Sequence, residues 1–91
     1  MNEEIQKIYG YYTRKIHNGS RLTEGSKLKI KTRLKLFSVE QLLEAIDRFS
    51  KNKWWMENNG KRGVAWFFHS DDRIDQFLNL EPEKKRQVVN L

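Results

Sequence analysis

Few residues of this chain could do acid–base or metal chemistry: His17, His69 and the aspartates Asp71, Asp72 and Asp75. Asp71 and Asp75 lie one helical turn apart, a spacing that would let two carboxylates converge on a hard cation. The same cluster also follows Ser70 at an apparent helix start, where the helix macrodipole draws acidic residues anyway. The histidines stand in or beside predicted turns, far apart, and neither sits in the His-Glu-x-x-His spacing of a zinc hydrolase. "GKRG" at 60–63 lacks the glycine spacing of a phosphate-binding loop. With no cysteine there is no thiolate nucleophile, thiolate metal site or disulfide. The expectation is a protein that is not an enzyme and needs neither metal nor cofactor.

What remains is charge and aromatic surface. Between Tyr12 and Leu36 stand Arg14, Lys15, Arg21, Lys27, Lys29, Lys31, Arg33 and Lys35, opposed only by Glu24. Between Ser70 and Glu83 the sign reverses, with Asp71, Asp72, Asp75, Glu81 and Glu83 against Arg73. The formal net charge of +6 is therefore concentrated, and the basic part of the chain should attract an anionic partner. Lys51, Lys53, Lys61 and Arg62 bracket Trp54 and Trp55. In single-strand binders such a mixture neutralises phosphates and stacks bases, the stacking worth about 1–3 kcal/mol per base. Two adjacent tryptophans cannot easily face one core, so one of them is expected at the surface or at a joint, as a stacking or partner contact.

Helices must position these residues. Ile5, Ile8, Tyr9, Tyr12 and Ile16 recur at spacings of three and four, and "HNGS" ends that helix with Asn18 and Gly19 suited to a C-cap. The stretch "KLKIKTRLKL" alternates as a strand would, yet Lys, Leu and Arg are good helix formers, and a helix is predicted. Thr23 would cap it, and Ile30, Leu34 and Phe37 would be its buried stripe. Lys27, Lys31 and Lys35 then flank the stripe on one side, Lys29 and Arg33 on the other, leaving Leu28 and Leu36 in need of a second contact. Ser38 with Gln41 forms a capping box, and Phe37 with Leu42 a hydrophobic staple. The helix that follows carries Leu42, Ala45, Ile46 and Phe49 inward and turns Glu40, Glu44, Asp47 and Arg48 to water. Asn59-Gly60 is a hairpin signal, so strands at 54–56 and 64–67 compete with two helices joined by a loop. Ser70 caps a last helix with Ile74, Phe77 and Leu78 on its stripe, Pro82 stops it, and 83–91 reads as a tail.

These elements predict one domain over residues 1–82, mainly α, a small bundle of about four helices with a short β-hairpin near 53–67 as the open alternative. No apolar run approaches the roughly 20 residues of a membrane span, and the acidic N-terminus has no signal-peptide core. A soluble, cytoplasmic protein with no membrane partner is expected.

"IKTRLKLFSVEQLLEAIDRFSKNKWWM" followed by "NNGKRGVAWFFHSDDRIDQFLNL" resembles the C-terminal domain of phage replication proteins of the replisome-organiser or replication-initiation type, and more distantly the DnaD-type C-terminal domain. The likeness spans roughly residues 5–82 and is sharpest in "GVAWFFHSDDRIDQFLNL". Arg33 and the set Trp66, Phe67 and Phe68 match motif positions of a framework kind. The resemblance implies a helical domain in a bacterial host cell that binds DNA, often single-stranded, or touches the helicase-loading machinery. No winged helix is read in this stretch, so origin-specific recognition is not expected.

Two functions follow. In the first, Lys27, Lys29, Lys31, Arg33 and Lys35, assisted by Arg14, Lys15, Lys51, Lys53, Lys61 and Arg62, neutralise a nucleic-acid backbone, single- or double-stranded. In the second, Leu28, Leu36, tryptophan surface and the Asp71, Asp72, Asp75 patch form a protein interface, either a helicase-loader contact or an inhibitory one on a host defence nuclease of CRISPR type.

Overall fold

The best-specified helix start in the chain organises the rest. In the computed structural model, which describes residues 2–80, the capping box forms as expected. The Gln41 N–H donates to Ser38 Oγ (3.1 Å) and the Ser38 N–H donates to Gln41 Oε1 (2.9 Å). With two otherwise orphaned donors satisfied, helix α3 (Val39–Ser50) starts cleanly and buries Leu42, Ala45, Ile46 and Phe49. Phe37 is buried beside this start, as a staple residue should be. The other helices, in chain order, are α1 (Asn2–Lys15), α2 (Glu24–Arg33), α4 (Lys53–Asn59), α5 (Val64–Phe67) and α6 (Asp71–Leu78). The protein is mainly α, and the described residues include no strand. The expected stop at Pro82 and the tail over 83–91 lie outside the described residues.

α3 is the central element, packed against α1, α4 and α6, while α2 packs against α1 and α5. Into the shared core α1 sends Ile5, Ile8 and Tyr12, α5 sends Val64 and Phe67, α6 sends Ile74 and Phe77, and Phe68 follows from the loop after α5. Phe49 stands at the middle of an aromatic cluster, edge-on to Phe77 (4.9 Å between centroids), Phe67 (5.4 Å) and Trp66 (6.0 Å). Such a cluster suits a small domain, because aromatic rings bury much area per residue and their edge-to-face pairs each add about 0.5–1.5 kcal/mol.

The hairpin alternative does not form. A two-residue hairpin turn of the favoured kind needs positive φ at both Asn59 and Gly60, and no described residue has one. Instead Asn52 caps α4, its Oδ1 accepting from the Trp55 N–H (3.1 Å), and Gly60 closes the helix with its N–H donating to the Met56 carbonyl (3.0 Å). Helical geometry then separates the tryptophans. Trp55 turns inward against Phe49 (5.7 Å) and Phe77 (5.2 Å), whereas Trp54 stays 56 % exposed. A Cβ on Gly60 would overlap the Met56 carbonyl oxygen, so glycine serves close approach here and not a left-handed turn.

Two further expectations need correction. α1 does not end in a left-handed cap at Asn18-Gly19. It ends at Lys15, and the Ile16 and His17 N–H groups both return to the Tyr12 carbonyl (2.8 and 3.3 Å). α2 stops at Arg33, and residues 35 and 36 tighten into i to i−3 bonds, Lys35 N–H to Thr32 O (3.2 Å) and Leu36 N–H to Arg33 O (3.1 Å). Within α2 the buried stripe is Ser26, Ile30 and Arg33, spaced by four and three, and Leu34 beyond the helix end is only half-buried.

Long-range polar contacts tie the N-terminal third to the segment before α5. Ser20 Oγ accepts from the buried Val64 N–H (2.9 Å), the first donor of α5. The Tyr12 hydroxyl donates to the Arg62 carbonyl (2.6 Å), and the Tyr9 hydroxyl to the Ser20 carbonyl (2.8 Å). Burial of the Tyr12 phenol pushes its pKa well above the ordinary tyrosine value.

Candidate functional site

The five basic residues of the 27–35 stretch do not form one exposed row. Arg33 is 9 % exposed, and its Nε lies 3.1 Å from Asp71 Oδ1, at ion-pair distance but off the hydrogen-bond direction. It joins α2 to the first turn of α6 and is lost to a phosphate ridge. Lys27 pairs with Glu24 across one turn (3.4 Å) and Lys29 is half-buried. Lys31 and Lys35 are exposed, and neither has an acidic partner among the described residues.

Lys15 and Lys51 are occupied as well. Both reach Asp47, Lys15 Nζ at 3.8 Å from Oδ1 and Lys51 Nζ at 3.0 Å from Oδ2, and the Tyr11 hydroxyl donates to Oδ1 (3.3 Å). Asp47 was expected to face water, yet it is half-buried and fastens α1 to α3. Burial would raise its pKa, but the Lys51 hydrogen bond, the charges of Lys51 and Lys15 and the Tyr11 hydrogen bond outweigh it and hold the carboxyl below the ordinary aspartate value.

Arg14 and Lys61, from opposite halves of the chain, come together. With Thr13, Ile16, His17, Asn18, Met56 and Gly60 they line an open cleft of about 410 Å³ between the end of α1 and the end of α4. Tyr12 builds this juxtaposition, since its bond to the Arg62 carbonyl draws the 60–63 loop onto α1. The guanidinium of Arg14 rests 5.5 Å from the Tyr11 ring centre and that of Arg62 5.5 Å from the Trp66 ring centre. Neither Arg14, Lys61 nor Arg62 has an acidic partner among the described residues. Gly19 has a local part, because a Cβ there would stand 3.0 Å from Cε1 of His17 and crowd the ring.

No family model, curated protein or solved structure matches the chain.

The lining offers hydrogen-bond donors and an apolar surface. Cations with free donors flank a floor that includes Ile16 and Met56, and Thr13, His17 and Asn18 add hydroxyl, imidazole and amide groups. Among the described residues no group of carboxylates and histidines is placed to hold a metal ion. Asp71 is engaged by Arg33 and begins α6 beside its Ser70 cap, whose Oγ accepts from the Arg73 N–H (3.1 Å). Asp72 and Asp75 are exposed on the same helix. Lys53 is exposed next to Trp54, whereas Trp55 is taken into the aromatic cluster. Among the described residues Trp54, Leu28 and Leu36 are the large apolar side chains left exposed, the two leucines at 63 % each. No described helix is long and apolar enough to cross a membrane.

Sequence reasoning missed the uncharged lining residues. Thr13, Ile16 and Met56 carry no motif, and only the pairing of two helix ends from distant parts of the chain makes them neighbours.

Proposed function

We propose that this protein binds nucleic acid through the phosphate backbone, without catalysis, and that the cleft between α1 and α4 grips the strand. The observation that carries this reading is the convergence of Arg14 and Lys61 on one opening, with Arg62 next in sequence and no acidic partner for any of the three among the described residues. A volume of about 410 Å³ suits a nucleotide-sized unit, since small-molecule sites run from about 300 to 1,000 Å³. Ile16 and Met56 offer an apolar surface to a sugar, and Arg14 and Lys61 meet the phosphates on either side. Two helices end at the cleft, so the local backbone carries partial negative charge, and part of the cationic charge offsets it. The donors of Arg14 and Lys61 remain available for a ligand. The reading agrees in class with the resemblance to phage replication domains, which implies DNA binding beside the replication machinery.

The test is fluorescence anisotropy with labelled single- and double-stranded oligonucleotides over a salt series. Three phosphate contacts on a single strand predict a log–log salt slope of about −2. The pair Arg14→Glu and Lys61→Glu should weaken binding at least tenfold while leaving the helical circular dichroism unchanged. Absence of binding at low salt would refute the function, and an affinity indifferent to the pair would refute the site.

A second reading is favoured by one observation, the exposure of Leu28 and Leu36 on and beside α2. It makes the protein a protein-binding module, as a helicase-loader contact or an inhibitor of a host defence nuclease would be. The two readings use different surfaces.

A further inference from the structure

The outer side of α2 combines features that a nucleic-acid backbone does not require. Ser26, Ile30 and Arg33 define its buried face, and Leu28 stands on the opposite side, 63 % exposed. Leu36, equally exposed, follows on the turn that closes the helix. Leu36 comes eight residues after Leu28, and the last three of them lie past the end of α2. Lys31 and Lys35 lie between them in sequence, exposed and without acidic partners among the described residues, and half-buried Lys29 stands next to Leu28.

Phosphates are met by the lysines, but leucine gives a base no stacking surface, so two exposed leucines would be idle against a strand. Two exposed leucines framed by lysines do match a partner helix that presents an apolar stripe with carboxylates at its margins. Resting on the protein-binding reading, we propose that the outer face of α2 docks an acidic amphipathic helix of a partner protein. Leu28 and Leu36 would enter between the partner's apolar side chains, and Lys29, Lys31 and Lys35 would select for its Asp and Glu residues.

The probe is a displayed library of randomised helical peptides, selected on the immobilised full chain and counter-selected on the Leu28→Ser/Leu36→Ser variant. Both leucines are exposed, so that variant should fold, which its thermal melt checks. The selected peptides should carry net negative charge and one apolar helical stripe. Their affinity should fall at least tenfold for Leu28→Ser/Leu36→Ser and for Lys31→Glu/Lys35→Glu, and stay unchanged for Arg14→Glu/Lys61→Glu. Peptides that bind the leucine variant equally well would leave a protein-binding module with another face and overturn the α2 site. Failure to select any binder would overturn both the site and the protein-binding reading. Two further results would also overturn the acidic-helix occupant: leucine-dependent self-association in sedimentation, which would assign the face to a second copy, and leucine-dependent binding to phosphatidylserine vesicles, which would assign it to a membrane surface.

Discussion

Replacing Tyr12 by Phe removes one oxygen atom from a fully buried ring, and the structure fixes what should follow at two pH values. The lost bond is the one to the Arg62 carbonyl at 2.6 Å. A hydrogen bond of this kind is worth about 0.5–1.5 kcal/mol net, and an acceptor left dry raises the cost, so about 1–2 kcal/mol should be lost at pH 8. For a domain of this size each kcal/mol lowers the Tm by roughly 4–8 °C. The pH dependence makes the prediction specific. Burial raises the phenol's pKa in the folded protein, so in the folded state Tyr12 stays protonated where an unfolded tyrosine, with a pKa near 10, ionises. Its contribution is whole below about pH 10 and declines above it, because the unfolded chain then releases a proton that the folded one keeps. By pH 11 ionisation favours the unfolded chain by about 1.4 kcal/mol, nearly cancelling the advantage of Tyr over Phe. Urea unfolding of both proteins at pH 8 and pH 11 measures this, and the Phe variant subtracts the effects of lysines and other tyrosines. An equal gap at the two pH values would refute the claim that Tyr12 is held dry against Arg62.

Asp47→Asn should cost under about 1 kcal/mol at neutral pH, since Lys15 and Lys51 are themselves substantially exposed. Because the folded carboxyl has the lower pKa, its contribution is present above the ordinary aspartate value near 3.9. Urea curves of the two proteins should therefore converge as pH falls through the folded value. Phe49→Ala should remove about 3–5 kcal/mol by opening a cavity amid Phe67, Phe77, Trp55 and Trp66, enough to broaden or abolish the cooperative melt. Ser20→Ala should cost about 1–3 kcal/mol, because the Val64 N–H is buried and Ser20 Oγ is its acceptor; hydrogen exchange at Val64 would report it directly. Gly60→Ala should be destabilising, since the new methyl meets the Met56 carbonyl, and a melt equal to the parent's would contradict that crowding.

Helix starts are legible in the sequence because a cap is a local transaction. Ser38, Ser70 and Thr23 each accept from a backbone N–H three residues on, and nothing distant is needed. The stripes of α1, α3 and α6 are legible for the same reason of periodicity. Asn59-Gly60 misleads because glycine answers two demands, positive φ and close approach, and only the packing of Trp55 tells which one is made here. Arg33 misleads in another way. It lies on the same helical stripe as Ser26 and Ile30, but only the arrival of Asp71 from α6 gives a buried guanidinium its counter-charge. The charge on each lysine is visible in the sequence, but its carboxylate partner is not. Lys15 of α1 meets Asp47 of α3, whereas Arg14 and Lys61 meet no acid among the described residues and share an opening.

The bonds from Ser20 to Val64 and from Tyr12 to Arg62 span 44 and 50 residues, and they bear on how the chain is made. At about 5–20 residues per second, α1 leaves the ribosome several seconds before its partners exist. During that interval Ile5, Ile8 and Tyr12 have no α5 or 60–63 loop to cover them. Loop closure over so long a stretch comes after the local turns, so α3 and the joint before it should form first and α1 should dock late. A nascent chain halted shortly before Val64 would then display an uncovered aromatic and isoleucine face, a natural substrate for a chaperone waiting at the tunnel exit.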